Sequence, residues 1–188
     1  MDGRSTGSKV GQTAPLWDHS FDGKAVVIGL GNPYMRDDAI GILVARELRR
    51  TGAGPGVEVL DYHALDLSTL LSFGGASRVV VVDALKGGGP PGTVSRYSIN
   101  PAESALGRVL DLHGMQLYDM LDLANHAELF ACPVFIVGVE PEDLSLGEGL
   151  SPSVSAALPL AVQAVLDELG RGRDRPRRSA ATRRGSQT

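Results

Sequence analysis

Three side chains in this sequence combine donor types that could bind a transition metal. Asp38 follows a Gly-rich turn, Asp83 follows four consecutive valines, and His113 precedes a segment with apolar residues at helical spacing. Two carboxylates and one imidazole suit Ni²⁺, Zn²⁺ or Fe²⁺ and leave coordination positions open for a substrate. Each residue also has an ordinary interpretation: Asp38 as a helix cap, Asp83 as a solvated residue at a strand end, and His113 as a surface or capping histidine.

The surrounding pattern predicts that strands and helices alternate along the chain. Apolar runs predict core strands at 25–30, 57–60, 78–82 and 132–139, and an edge strand at 93–99. This alternation predicts an α/β fold, a single-domain three-layer sandwich with an open, mostly parallel five-stranded sheet, helices on both faces and one antiparallel edge strand. Ligands of such sheets bind beyond the carboxyl ends of the strands, where Asp38 and Asp83 are expected.

Helices are predicted at 40–50, at 65–73, around Leu117, Leu121 and Leu123, and from Ser151 to Leu169. Asp37 is expected to cap the first of them, and Ser151 followed by Pro152 has the form of an N-cap and first helical residue. Pro159 is expected to kink the last helix or to mark a second helix start. The glycines beside Asp38 are expected to let a bulky partner approach the backbone.

Composition predicts one globular domain at 23–170 between a flexible leader at 1–22 and a disordered basic tail at 171–188. Seven arginines and one aspartate give the tail a formal charge of +6, which leaves −10 for the remainder of a chain of net charge −4. This acidic body argues against nucleic acid as the main partner.

The sequence predicts a cytoplasmic protein without a membrane segment. It has a single cysteine, Cys132, and it shows neither a signal-peptide pattern nor a long apolar run.

Several motifs together resemble the [NiFe]-hydrogenase maturation endopeptidases over roughly residues 25–169. They read Gly-Leu-Gly-Asn at 29–32, Asp-Asp-Ala-Ile-Gly at 37–41, Val-Asp-Ala at 82–84 and His-Gly-Met-Gln-Leu at 113–117. The blocks Val-Gly-Val-Glu-Pro at 137–141 and Gly-Leu-Ser-Pro-Ser-Val at 149–154 are also similar to the family. The motifs are specific together, although no single one is.

The resemblance implies an endopeptidase that removes the C-terminal extension of a hydrogenase large-subunit precursor after nickel insertion. It carries both the metal-contacting and the catalytic roles onto Asp38, Asp83 and His113. The nickel would be carried by the substrate, with another divalent metal able to replace it in vitro. The precursor is the expected partner, and the chain is expected to be a monomer or weak homodimer. A metal-free, aspartic-type mechanism, in which Asp38 and Asp83 share a proton, stays open beside a nickel-dependent one.

One segment departs from the family, since Asp61, Tyr62 and His63 stand where many members have Asp-Gly-Gly. The substrate-facing loop must therefore differ in shape, and His63 is interpreted as a loop residue in preference to a further site residue.

Other classes of protein fit the sequence less well. Gly-Leu-Gly-Asn-Pro also opens peptidyl-tRNA hydrolases, but their catalytic-histidine stretch is replaced by Arg-Asp-Asp-Ala at 36–39. A dinucleotide-binding loop would need a glycine where Tyr34 stands. A non-catalytic hydrogenase-assembly chaperone of the same fold remains an alternative.

Overall fold

The computed structural model describes residues 23–66, 69, 72–73, 75–99 and 132–171. The predicted leader at 1–22, nearly all of the basic tail, His113 and the helix around Leu117 lie outside the described residues, as does part of the predicted helix at 65–73. In chain order the elements are β1 (Ala25–Leu30), a 3₁₀ helix (Arg36–Ala39), α1 (Ile40–Thr51), β2 (Val57–Tyr62), β3 (Arg78–Ala84), β4 (Val94–Ile99), β5 (Val134–Val139) and α2 (Pro152–Arg171).

The strands form one five-stranded sheet in the order β2-β1-β3-β5-β4. The first four in that order run parallel, and β4 pairs antiparallel with β5 at the edge. This topology confirms the predicted mostly parallel sheet with one antiparallel edge strand. Because β3 pairs with β5 as far as Ala84, it extends two residues beyond its predicted end, and Asp83 lies inside the strand.

Burial of both sheet faces explains the valine-rich strands. Along β1 and β3, successive side chains alternate between two buried apolar clusters, one on each face. Both α1 and α2 pack on the face that carries Val27 and Val80, through residues such as Val44 and Val165. The opposite face is covered in part by Phe73, which is fully buried.

The start of α1 packs very closely on the sheet. A Cβ at Gly41 would overlap the carbonyl oxygens of Leu30 and Val82, so only glycine lets the first turn of α1 sit against β1 and β3. The space beside Gly41 is filled by the protein's own backbone, so the prediction that this glycine admits a bulky partner is wrong.

The last helix begins as predicted and continues without a break. Val154 N donates to Ser151 Oγ at 3.4 Å, which confirms Ser151 as the N-cap and Pro152 as the first helical residue. Because α2 runs through Pro159 to Arg171, a second helix start at Pro159 is excluded. In the part of the chain that the structure describes, no helix combines the length and the apolarity needed to span a bilayer.

Candidate functional site

Asp38 lies in the 3₁₀ helix of the segment 31–39, called here the Asp38 turn, which joins β1 to α1. Its Oδ2 accepts a hydrogen bond of 2.7 Å from Asn32 N, so the carboxylate folds back onto its own turn. Gly31, at φ +132°, allows this closure, because a Cβ there would overlap the Asp38 carbonyl oxygen. No side-chain bond caps the 3₁₀ helix or α1, so the interpretation of Asp38 as a helix cap is wrong.

Asp83 is the penultimate residue of β3, and only 6% of it is exposed. Its Oδ1 accepts one hydrogen bond, of 2.8 Å, from Ala84 N. Burial, followed by the negative charge of nearby Asp38, raises the pKa of Asp83 from 3.8 to about 7, although the Ala84 amide acts in the opposite sense. Asp83 is therefore a buried carboxyl that titrates near neutral pH, and the interpretation as a solvated strand-end residue is wrong.

The fold brings Asp38 and Asp83 together, as the parallel sheet predicts. They are close enough for the charge of Asp38 to raise the pKa of Asp83. The third predicted residue, His113, lies outside the described residues. Among the residues that are described, no group of three His, Cys, Asp or Glu side chains could hold a metal ion. The pair by itself offers two carboxylates as ligands for a divalent cation, or as an acid and a base.

The neighbouring Asp37 has a structural role that sequence reasoning missed. Its fully buried carboxylate accepts bonds of 2.9 Å from Glu142 N and Asp143 N, and bonds of 2.6 and 2.9 Å from the amide and hydroxyl of Ser151. Burial alone would raise the pKa of Asp37, but these hydrogen bonds outweigh it and lower the pKa below its usual value. The predicted cap of α1 at Asp37 is wrong, because its carboxylate binds the clasp-loop residues Glu142, Asp143 and Ser151 and makes no cap bond to α1.

Main-chain bonds extend this junction between the Asp38 turn and residues 140–151, called here the clasp loop. Arg36 N donates to Gly147 O at 2.9 Å, Gly147 N donates to Tyr34 O at 2.9 Å, and Asp37 N donates to Asp143 O at 3.1 Å. Arg36 adopts φ +43°, which is strained for a residue with a side chain, and its guanidinium lies 3.1 Å from the Asp143 carboxylate. The two segments therefore hold each other in one arrangement beside Asp38.

The loop that follows β3 is tied to the same clasp loop. The Glu140 carboxylate accepts hydrogen bonds of 2.7, 3.3 and 3.3 Å from the amides of Gly87, Gly88 and Gly89. The Asp38 turn and the loop after Asp83 are thus both anchored to the clasp loop through a carboxylate. The sequence signal for this role is slight, because Glu140 stands 51–53 residues from the amides that it binds.

Two further residues were weighed from the sequence, His63 and Cys132. His63 is exposed directly after β2, and the preceding Asp61 pairs with Arg49 of α1. Cys132 is buried before β5, and burial raises the pKa of its thiol to about 11, which makes it a poor nucleophile at neutral pH.

The sequence is similar to those of several known proteins. Residues 42–168 match a sequence model described as hydrogenase maturation protease. Hydrogenase 2 maturation protease of Escherichia coli (strain K12) is 27% identical over 148 residues, which cover 78% of this chain and 90% of the relative. The hydrogenase expression/formation protein HoxM of Cupriavidus necator is 29% identical over 149 residues, which cover 78% of this chain and 74% of the relative.

Solved structures are similar as well. The hydrogenase maturating endopeptidase HybD from E. coli superposes with a TM-score of 0.66 at 26% identity, over 79% of this chain and 93% of the other. HybD from Thermococcus kodakarensis, described as a [NiFe] hydrogenase maturation protease, gives a TM-score of 0.60 at 25% identity, over 78% and 98% of the two chains. The match to the sequence model includes Asp83 and begins four residues after Asp38.

Proposed function

Because the chain belongs to the hydrogenase maturation protease family, we propose that it is an endopeptidase that removes the C-terminal extension of a [NiFe]-hydrogenase large-subunit precursor after nickel insertion. The observation that carries this proposal is the placement of Asp38 beside the buried Asp83 at the carboxyl ends of β1 and β3. Ligands of open α/β sheets bind at this position. The reaction is proposed to take place in the cytoplasm, with the enzyme as a monomer or weak homodimer.

In this proposal the nickel is part of the substrate, and Asp38, Asp83 and His113 contact it. Carboxylate and imidazole donors suit a divalent nickel ion, and another divalent metal could take its place in vitro. The raised pKa of Asp83 fits a transient site, because an approaching cation favours the ionised carboxylate and its departure allows the proton to return. Contact with the nickel would orient the scissile peptide, which is the template role of a metal in catalysis.

A metal-free, aspartic-type mechanism is the second candidate. With a pKa of about 7, Asp83 is protonated in a large fraction of molecules at neutral pH and could donate a proton while Asp38 activates a water molecule. An aspartic pair must share its proton through a hydrogen bond between the two carboxylates, whereas contact with the substrate's nickel requires only that both carboxylates reach the metal. We therefore prefer recognition of the substrate's nickel.

The test is a cleavage assay with purified large-subunit precursor, either loaded with nickel or nickel-free, followed by intact mass spectrometry. The proposal expects loss of the C-terminal extension from the loaded precursor only. Equal cleavage of both forms would overturn nickel recognition and leave the aspartic-type pair. Cleavage of neither form by the folded protein would overturn the protease assignment in favour of an assembly chaperone.

A further inference from the structure

Two exposed apolar side chains border the Asp38 turn, and we propose that they bind an apolar segment of the large-subunit precursor that flanks its scissile bond. This inference rests on the proposed function. Tyr34 of the Asp38 turn is 60% exposed, and Leu146 of the clasp loop is 84% exposed. Among the described residues, the other large apolar side chain with such exposure is Leu160 on α2, at 62%.

The backbone register makes Tyr34 and Leu146 neighbours. Met35 and Gly147 form a parallel β-bridge, framed by the hydrogen bonds from Gly147 N to Tyr34 O and from Arg36 N to Gly147 O. Tyr34 and Leu146 each precede a member of that bridge, so they occupy matching positions. Paired backbone segments lie about 5 Å apart, so the backbones of the two residues are neighbours across the bridge. Their exposed side chains are together called here the apolar surface.

This surface is held in place before any partner arrives. The four hydrogen bonds to Asp37 fix the clasp loop against the Asp38 turn, directly beside the bridge. A preorganised contact loses little conformational entropy on binding, and Tyr supplies a large contact area with few rotatable bonds. Tyr34 and Leu146 stay exposed to water on a fixed loop, and hydration of their apolar surface is unfavourable in free energy. Binding of an apolar partner removes that unfavourable hydration.

The apolar surface is continuous with the candidate site. Tyr34 N donates to Asn32 Oδ1 at 3.0 Å, and Asn32 N donates to Asp38 Oδ2 at 2.7 Å. A single residue therefore connects Tyr34 to the carboxylate assigned to the substrate's nickel. A peptide held at Asp38 has Tyr34 and Leu146 within reach of the residues that flank its scissile bond.

The charges around the apolar surface restrict which kind of peptide segment can bind there. Glu142 and Glu148 are exposed on the clasp loop on either side of Leu146, whereas Arg36 is occupied by Asp143. Acidic side chains on the partner would be repelled by these glutamates. The segment that fits is therefore apolar and free of acidic residues next to its point of contact.

The experiment measures kcat and KM for cleavage of nickel-loaded precursor by the full chain and by Tyr34→Ala, Leu146→Ala and the double variant. Loss of two apolar contacts should raise KM about tenfold in the double variant and leave kcat within about twofold, since this surface adds binding and not chemistry. Tyr34→Phe, which keeps the ring, should retain the wild-type KM. Leu160→Ala removes an exposed leucine from α2 and is the matched control, with no change in KM expected.

Thermal unfolding of each variant confirms that it is folded before kinetics are compared. A double variant whose KM equals that of Leu160→Ala, or that loses kcat without a rise in KM, overturns the proposed contact while cleavage by the wild type still supports the protease. Absence of cleavage by the wild type overturns the proposed function itself and the contact with it.

Discussion

Asp37 and Asp83 are both buried carboxylates near the carboxyl ends of the strands, yet their pKa values shift in opposite directions. Asp37 accepts four hydrogen bonds from the clasp loop, and its pKa is lowered. Asp83 accepts one, from Ala84 N, and faces the charge of Asp38, so its pKa rises to about 7. Burial alone therefore does not decide the state of a carboxylate, because the number of donors and the nearby charge do. Asp37 therefore stabilises the contact between the Asp38 turn and the clasp loop, whereas Asp83 can change its protonation state near neutral pH.

The largest effect on stability is expected from Asp37→Ala. Its removal leaves the amides of Glu142, Asp143 and Ser151 without their acceptor, which should lower the free energy of unfolding by about 3 kcal/mol. Urea unfolding at neutral pH measures this change. A loss below about 1 kcal/mol would mean that water replaces the carboxylate, and the contrast with Asp83 would fail.

The next effect is a difference between the two carboxylates in the pH dependence of stability. A carboxyl whose pKa rises on folding, as for Asp83, destabilises the native state increasingly as the pH rises from about 4 to 7. A carboxyl whose pKa falls on folding, as for Asp37, stabilises the protein above the unfolded value and loses that contribution as the pH falls through its folded pKa.

Asp83→Asn should therefore gain stability relative to the wild type by about 2 kcal/mol between pH 4.5 and pH 7.5, because it removes a buried charge with one donor. Urea unfolding of both proteins at the two pH values gives the difference. If the difference between variant and wild type is the same at both pH values, Asp83 does not have a raised pKa.

A smaller effect is expected at Glu140, which accepts three hydrogen bonds but is only half-buried. Glu140→Ala should cost about 1 kcal/mol, less than Asp37→Ala, because water can reach the amides of Gly87, Gly88 and Gly89. Amide hydrogen exchange of these glycines should accelerate at the same time. A cost equal to that of Asp37→Ala would show that donor number outweighs burial.

The sheet and the Asp38–Asp83 pair were predictable from sequence because their signals are local. Valine runs buried on both faces identify parallel strands, and such strands place the residues after them at one edge of the sheet. The environment of Asp37 was not predictable, since its partners Glu142 and Ser151 stand 105 and 114 residues away. The chain forms a 3₁₀ helix before α1 begins, and within it the Asp37 side chain faces the clasp loop and not the expected capping position.

The burial of Asp83 could not be predicted from the sequence either. A strand that ends at residue 82 would leave Asp83 solvated, whereas pairing with β5 as far as Ala84 keeps it in the sheet. The start of α1, brought close by Gly41, completes the covering of this strand end. Both features depend on packing between elements, so no periodic pattern of apolar residues in the sequence predicts them.

The most direct test of the account is the intact mass of nickel-loaded large-subunit precursor after incubation with the wild type, Asp38→Asn, Asp83→Asn and the surface control Glu58→Gln. We predict removal of the C-terminal extension by the wild type and Glu58→Gln, and at least a hundredfold slower removal by the two aspartate variants, which remain folded. Processing by Asp38→Asn and Asp83→Asn at the wild-type rate would contradict the assignment of this carboxylate pair as the site.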